Sequence, residues 1–115
     1  MALTHPLPDP VVELLAQRFR VLGDPTRIRL LERLRRSEAT VTELALVTGA
    51  SQQNVSKHLG ILRDAGIVAR RKQGTASLYR IADESIFDLC EQVCGSVQSQ
   101  LATLAALVGG SVPTR

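Results

Sequence analysis

Apolar side chains recur at three- and four-residue intervals at Val11, Leu14, Leu15, Phe19 and Leu22, the stripe of an amphipathic helix. Gly23 interrupts it. Asp24 then precedes Pro25, a start signal with a physical basis: the carboxylate accepts amide protons of a first turn, and proline has none to leave unpaired. Ile28, Leu30, Leu31 and Leu34 line this second helix, which ends near Arg36. From Thr40 the chain reads T-V-T-E, a capping box in which Thr40 and Glu43 satisfy each other's backbone amides, and Leu44, Ala45 and Val47 follow in a short helix ended by Gly49. Ser51 caps the next helix. Its apolar positions Val55, Leu59 and Leu62 share one side, Gln52, Gln53, Ser56 and Lys57 lie on others, and Asp64, Ala65 and Gly66 close it.

After Gly66 the period changes. Ile67, Val68, Leu78, Tyr79 and Ile81 are strand formers on either side of a polar turn at Gly74, which predicts a hairpin over about 67–81 with a basic tip. Asp83 is placed to cap a last helix over about 83–108, with Ile86, Cys90, Val93, Val97, Leu101, Leu104 and Val108 at helical spacing. That stripe is longer than one small domain can cover, and a second copy of the same helix would cover it. Two short capped helices joined by a glycine turn, the second polar outside, form a helix-turn-helix, and the strand pair behind them makes it winged. The expected fold is therefore mostly α with a small β-hairpin wing, dimerising through terminal helices. It spans residues 11–108 as one domain, with a recognition helix over about 51–65 and tails at 1–10 and 109–115.

Composition narrows the chemistry. A chain of 115 residues, 44% apolar, is one domain of ordinary size. Its aromatics, Phe19, Tyr79 and Phe87, are too few for a base-stacking platform of the kind that reads single strands. The net charge of +3 is unevenly spread: residues 51–80 carry six basic groups against one acidic, and residues 81–115 one against four. The middle of the chain suits a polyanion. No phosphate loop or nucleophile elbow is present, and His5 and His58 are the sole histidines, which argues against an enzyme. The sequence lacks an apolar run of membrane-spanning length and a secretory leader pattern, so no membrane partner and a cytoplasmic location are expected, with Cys90 and Cys94 reduced.

FRVLGDPTRIRLLERL, then TVTELALVTGASQQNVSKHLGILRDAGIVARRKQGTASLYRI, then one long helix, resemble from about Leu15 to Leu101 the ArsR/SmtB family of small dimeric winged-helix repressors, many of which sense metals or metalloids. DPTR followed by S-x-x-x-V-S-x-H-L-x-x-L-x-x-A-G-I-V is far more specific than a generic helix-turn-helix. The resemblance implies a recognition helix over Ser51 to Gly60, in which Ser51, Gln52, Gln53, Ser56 and Lys57, with His58 at the edge, reach base edges or phosphates of double-stranded DNA. It also implies a wing of Arg70, Arg71, Lys72 and Gln73 on backbone or minor groove. Most arginines of the second helix read as surface charges, one near its start being placed to meet a phosphate. Asn54 and His58 also neighbour the apolar stripe and could bond to nearby backbone instead. Two such helices in a homodimer would enter successive major grooves about 34 Å apart, hence a palindromic operator.

The family's familiar sensing sites are not matched. ELALVTGA before the recognition helix holds no cysteine, and along the last helix Asp83, Ser85, Ser96 and Ser99 stand at the zinc-ligand positions, leaving Asp83 as the one credible ligand. Cys90 and Cys94 remain, four apart on one helical face, with β-carbons roughly 5–6 Å apart, close enough to share a soft ion such as As(III), Hg(II) or Cd(II) as inducer. Arsenite would want a third donor. The alternatives are oxidation or persulfide chemistry at the same thiols, a repressor with no small-molecule inducer whose cysteines only pack, and a thiol metal carrier that has lost DNA binding.

Overall fold

The computed structural model describes residues 5–109. In chain order these form α1 (Asp9–Leu22), α2 (Pro25–Arg36), β1 (Ala39–Thr40), α3 (Val41–Thr48), α4 (Gln52–Asp64), β2 (Val68–Gln73), β3 (Ala76–Ile81) and α5 (Ile86–Val108). The chain divides into two compact units, one ending at Asp83 and the other beginning at Glu84. The outer parts of both predicted tails, residues 1–4 and 110–115, lie outside the described residues; within them, α1 begins at Asp9, two residues before the predicted start, and Gly109 caps α5.

In the first unit, local signals place the helix ends. The Asp24 carboxylate accepts from the Arg27 amide at 3.1 Å, with Pro25 as the first helical residue. Thr40 Oγ1 accepts from the Glu43 amide at 3.2 Å while Glu43 Oε1 accepts from the Thr40 amide at 3.2 Å, completing the capping box of α3. Ser51 Oγ accepts from the Asn54 amide at 3.1 Å and starts α4. That helix ends in a Schellman motif. Gly66, at φ +76°, donates to the Arg63 carbonyl, and Ile67 donates to that of Leu62.

α2, α3 and α4 close over one aliphatic core. Leu30, Ala39, Leu44, Val55, Leu59, Leu62 and Ile67 are fully buried, with Leu31, Leu34, Val68 and Tyr79 nearly so. Each such leucine or isoleucine adds about 1.5–3 kcal/mol to the stability of the folded state. Ile28, which the pattern assigned to the core stripe, is 49% exposed.

The sheet has three antiparallel strands in the order β1-β3-β2, with Ala39 opposite Tyr79 and Val68 opposite Ile81. β1 has no counterpart in the sequence pattern; its two residues form a strand only through their pairing with β3. β2 and β3 meet in a two-residue loop, Gly74–Thr75, with Gly74 at φ +64°. Glycine at the first central position fits the type II′ hairpin turn.

The second unit is dominated by α5, 23 residues long. Its start corrects one sequence expectation. Ser85, not Asp83, occupies the N-cap position and makes no side-chain cap hydrogen bond. The Asp83 carboxylate instead faces Arg18 of α1, with Nη1 to Oδ2 at 3.4 Å. Along α5, Val93, Val97, Leu101, Leu104, Leu107 and Val108 are all exposed, as are Val12, Leu14, Leu15 and Phe19 on α1. No helix among the described residues is long and apolar enough to cross a membrane.

Candidate nucleic-acid interface

The turn Gly49–Ser51 between α3 and α4 sets up the site. Gly49, at φ +74°, caps α3 by donating to the Ala45 carbonyl, and Ser51 opens α4 two residues later. With Val55, His58, Leu59 and Leu62 turned into the core, helical geometry leaves Gln52, Gln53, Ser56 and Lys57 exposed on the opposite side. Gln52 and Ser56, and Gln53 and Lys57, are each four apart and so lie one above the other, forming two parallel polar rows. Ser51, Gln53, Asn54 and Lys57 line a shallow recess at the start of this face. Amide, hydroxyl and ammonium groups side by side, without a carboxylate among them, make a surface that can donate to and accept from base edges and donate to phosphate. Ser51 itself spends its hydroxyl on the cap.

His58 does not belong to that face. It is 8% exposed, and its Nδ1 lies 3.0 Å from Nη1 of Arg27. The sequence already held the signal: His58 stands three residues after Val55 and one before Leu59, within the buried stripe. Arg27, the first arginine of the second helix, also donates its guanidinium to the carbonyls of Val21 and Arg20.

The wing residues Arg70, Arg71, Lys72 and Gln73 are all exposed on β2. Arg71 differs from its neighbours because Glu38, just before β1, holds it through two hydrogen bonds, Nη2 to Oε1 at 2.6 Å and Nε to Oε2 at 3.1 Å. The guanidinium fork matches the two carboxylate oxygens. The hydrogen bonds from Arg71 hold the Glu38 carboxyl below the usual carboxylate range, and Glu38 in turn makes Arg71 harder to deprotonate. Arg71 is thus a wing side chain whose charge is already balanced by a partner 33 residues away, too distant for any local pattern to reveal. Arg70 and Lys72 extend the positive surface, with no carboxylate paired to either among the described residues.

Cys90 and Cys94 are both exposed thiols on α5. Among the described residues no group of three or more His, Cys, Asp or Glu side chains converges as a metal cage.

This geometry can be compared with known proteins. Residues 22–71, from the end of α1 through α4 and into β2, match a helix-turn-helix domain family. The transcriptional regulator Rv0081 of Mycobacterium tuberculosis is 42% identical over 82 residues, spanning 70% of this chain and 72% of that one. Its crystal structure superposes with a TM-score of 0.77 at 35% identity, covering 85% of this chain and 99% of that chain. A probable mercury resistance operon repressor of Streptomyces lividans is 40% identical over 86 residues, 75% of this chain and 64% of that protein. The homodimeric winged helix-turn-helix DNA-binding domain Mb0332 of Mycobacterium bovis, a possible ArsR-family regulator, aligns with a TM-score of 0.73 at 28% identity over 88% of this chain and 94% of that one. A helix-turn-helix with a polar outer row on its second helix, a basic hairpin behind it, and relatives of this closeness place the chain in the ArsR/SmtB family of winged helix-turn-helix DNA-binding transcription regulators.

Proposed function

We propose that the chain is a homodimeric repressor that binds a palindromic operator in the cytoplasm and leaves it when a soft metal ion, Hg(II) before As(III) or Cd(II), is held by Cys90 and Cys94. The observation that carries the DNA half is the exposed polar row of α4, with Gln52, Gln53, Ser56 and Lys57 outward and the core leucines inward. Gln53 and Lys57 read bases or phosphates, and Arg70 and Lys72 of the wing neutralise backbone. The exposed apolar rows of α1 and α5 support the dimer. Phe19 at 54% and Val97 at 46% exposure are costly in a lone chain and are covered when two copies pair.

The inducer half rests on two accessible thiols at i, i+4 spacing and on the name of the Streptomyces relative. A two-coordinate soft ion needs no further ligand, so Hg(II) suits one chain as it stands. The ion acts by favouring a dimer geometry that fits DNA poorly, and its effect on operator affinity equals its differential affinity for the two geometries.

The test uses fluorescence anisotropy of the reduced protein on a duplex from its own upstream region at physiological salt, with mercuric chloride, arsenite and cadmium chloride added in turn, then a persulfide donor. Release by the mercuric ion, abolished in Cys90→Ser with Cys94→Ser, is the expected result. Release by the persulfide donor alone assigns the thiols to redox sensing. Tight binding unmoved by all four makes them packing residues. Absence of salt-dependent DNA binding refutes the repressor itself in favour of a metal carrier. Sedimentation velocity of Val97→Glu checks the dimer, with a shift to monomer expected.

A further inference from the structure

We infer that Arg27 is a positioning residue that locks the DNA-reading helix to the end of α1, acting through the ring of His58. The inference rests on the reading of α4 as the recognition helix. One guanidinium makes three connections: Nε donates to the Val21 carbonyl, Nη2 to the Arg20 carbonyl at 3.3 Å, and Nη1 to His58 Nδ1 at 3.0 Å. Arg20 and Val21 lie in the last turn of α1, where helical carbonyls have no partner within their own helix. The same residue's backbone amide is fixed by the Asp24 cap at 3.1 Å, so the side chain springs from a pinned point. Arg27 is therefore the hub of a three-helix junction of α1, α2 and α4.

The chemistry of the link is one-sided. Arginine has five donors and no acceptor, so His58 Nδ1 must present its lone pair and the ring proton sits on Nε2. His58 follows Lys57 and lies one turn beyond Asn54, so the ring that Arg27 holds sets the rotation and depth of the row that faces DNA. At its other end the link grips the helix that carries Leu14, Leu15 and Phe19 into the exposed apolar row. The end of α1 is thus tied to α4 by a charged, three-pronged contact in addition to the buried side chains of Val21 and Leu22. None of this requires Arg27 or His58 to touch DNA.

The experiment separates positioning from folding by changing the acceptor while leaving Arg27 in place. In His58→Asn the amide oxygen takes the place of Nδ1 and the link survives; in His58→Leu the volume is kept and the acceptor removed. Full-length wild type, both variants and Arg27→Met are measured by anisotropy on a duplex selected by the wild type from a random library, and on an unselected duplex of the same length at low salt, with thermal unfolding and sedimentation alongside. The expected result is a loss of tenfold or more on the selected duplex for His58→Leu and Arg27→Met, a loss within threefold for His58→Asn, and less than twofold change for all on the unselected duplex, every variant remaining dimeric. Equal losses for His58→Asn and His58→Leu overturn the inference, as does wild-type affinity in His58→Leu. If Arg27→Met does not fold, the two His58 variants decide. A wild type that selects no duplex overturns the reading of α4 and this inference together, whereas selective binding by wild type and His58→Leu alike overturns this inference alone.

Discussion

Glu38→Gln is predicted to strengthen DNA binding and steepen its salt dependence, an unusual outcome for a substitution outside both α4 and the wing. In the folded protein Glu38 neutralises Arg71 through a bidentate pair at 2.6 and 3.1 Å, so the two together release little counterion from DNA. Removing the carboxylate charge leaves Arg71 as a third unbalanced wing cation beside Arg70 and Lys72. Each phosphate neutralised contributes about 0.9 to the slope of log affinity against log salt, so one added contact per subunit, two per dimer, steepens the slope by about 1.8. Between 50 and 200 mM salt this amounts to about a tenfold greater loss of affinity than in wild type, with tighter binding at the low end. Because the pair is exposed and screened, thermal stability should hardly move. The assay is an anisotropy titration at four salt concentrations for wild type, Glu38→Gln, Arg71→Ala and the double variant. The double variant must return to the slope of Arg71→Ala. A Glu38→Gln slope equal to wild type would refute the placement of Arg71 over the DNA backbone, and a raised slope that persists in the double variant would show that net charge alone was responsible.

Two further predictions concern the scaffold. The hydrogen bond from the Arg27 amide holds the Asp24 carboxyl below its ordinary range; a carboxyl depressed in the folded state stabilises fully above its unfolded value of about 3.9, and that contribution disappears as pH falls through the lower folded value. Urea unfolding should therefore show wild type losing stability toward pH 3 more steeply than Asp24→Asn, while Asp24→Ala costs about 1 kcal/mol at pH 7 through the lost cap; parallel acid profiles for wild type and Asp24→Asn would contradict this. Leu59, fully buried on the inner side of α4, should cost about 2–5 kcal/mol when cut to alanine, and a loss below about 1 kcal/mol in denaturant titrations would mean that the stripe Val55–Leu59–Leu62 does not face the core.

Which of these features could be read from the sequence follows from how far apart the interacting groups lie along it. Asp24, Thr40 with Glu43, and Ser51 act on amides three residues away, so each cap was visible in a window of four letters and the helix ends fell where the caps put them. Gly74 announced its turn because a left-handed φ favours glycine. What one window of sequence does not show is a partner far off along the chain. Asp83 reads as a cap and pairs with Arg18, 65 residues back; His58 reads either as an edge reader or as a neighbour of the apolar stripe and bonds Arg27, 31 residues back; Arg71 reads as a wing cation and is held by Glu38. A charged or polar letter shows what a side chain can do but not which distant group reaches it first. β1 was invisible for a related reason, since two residues carry no period and acquire strand character only from β3.

The apolar stripes of α1 and α5 show the opposite limit. Their helical period is realised in the structure, and α1 does bury Val21 and Leu22 at its end. Yet Leu14 is 66% exposed, Phe19 54%, and the α5 positions from Val93 to Leu104 between 41% and 53%. Periodicity reports that a face must be covered, and it does not say that the cover lies in the same chain. In α4 the buried side and the exposed polar side both belong to one chain, so the two faces can be told apart residue by residue. In α1 and α5 the apolar side is left over. Since the hydrophobic contribution scales with area removed from water, the remaining stabilisation of this fold lies at a surface a single chain does not form. Stability should then depend on protein concentration, because association is what covers these stripes.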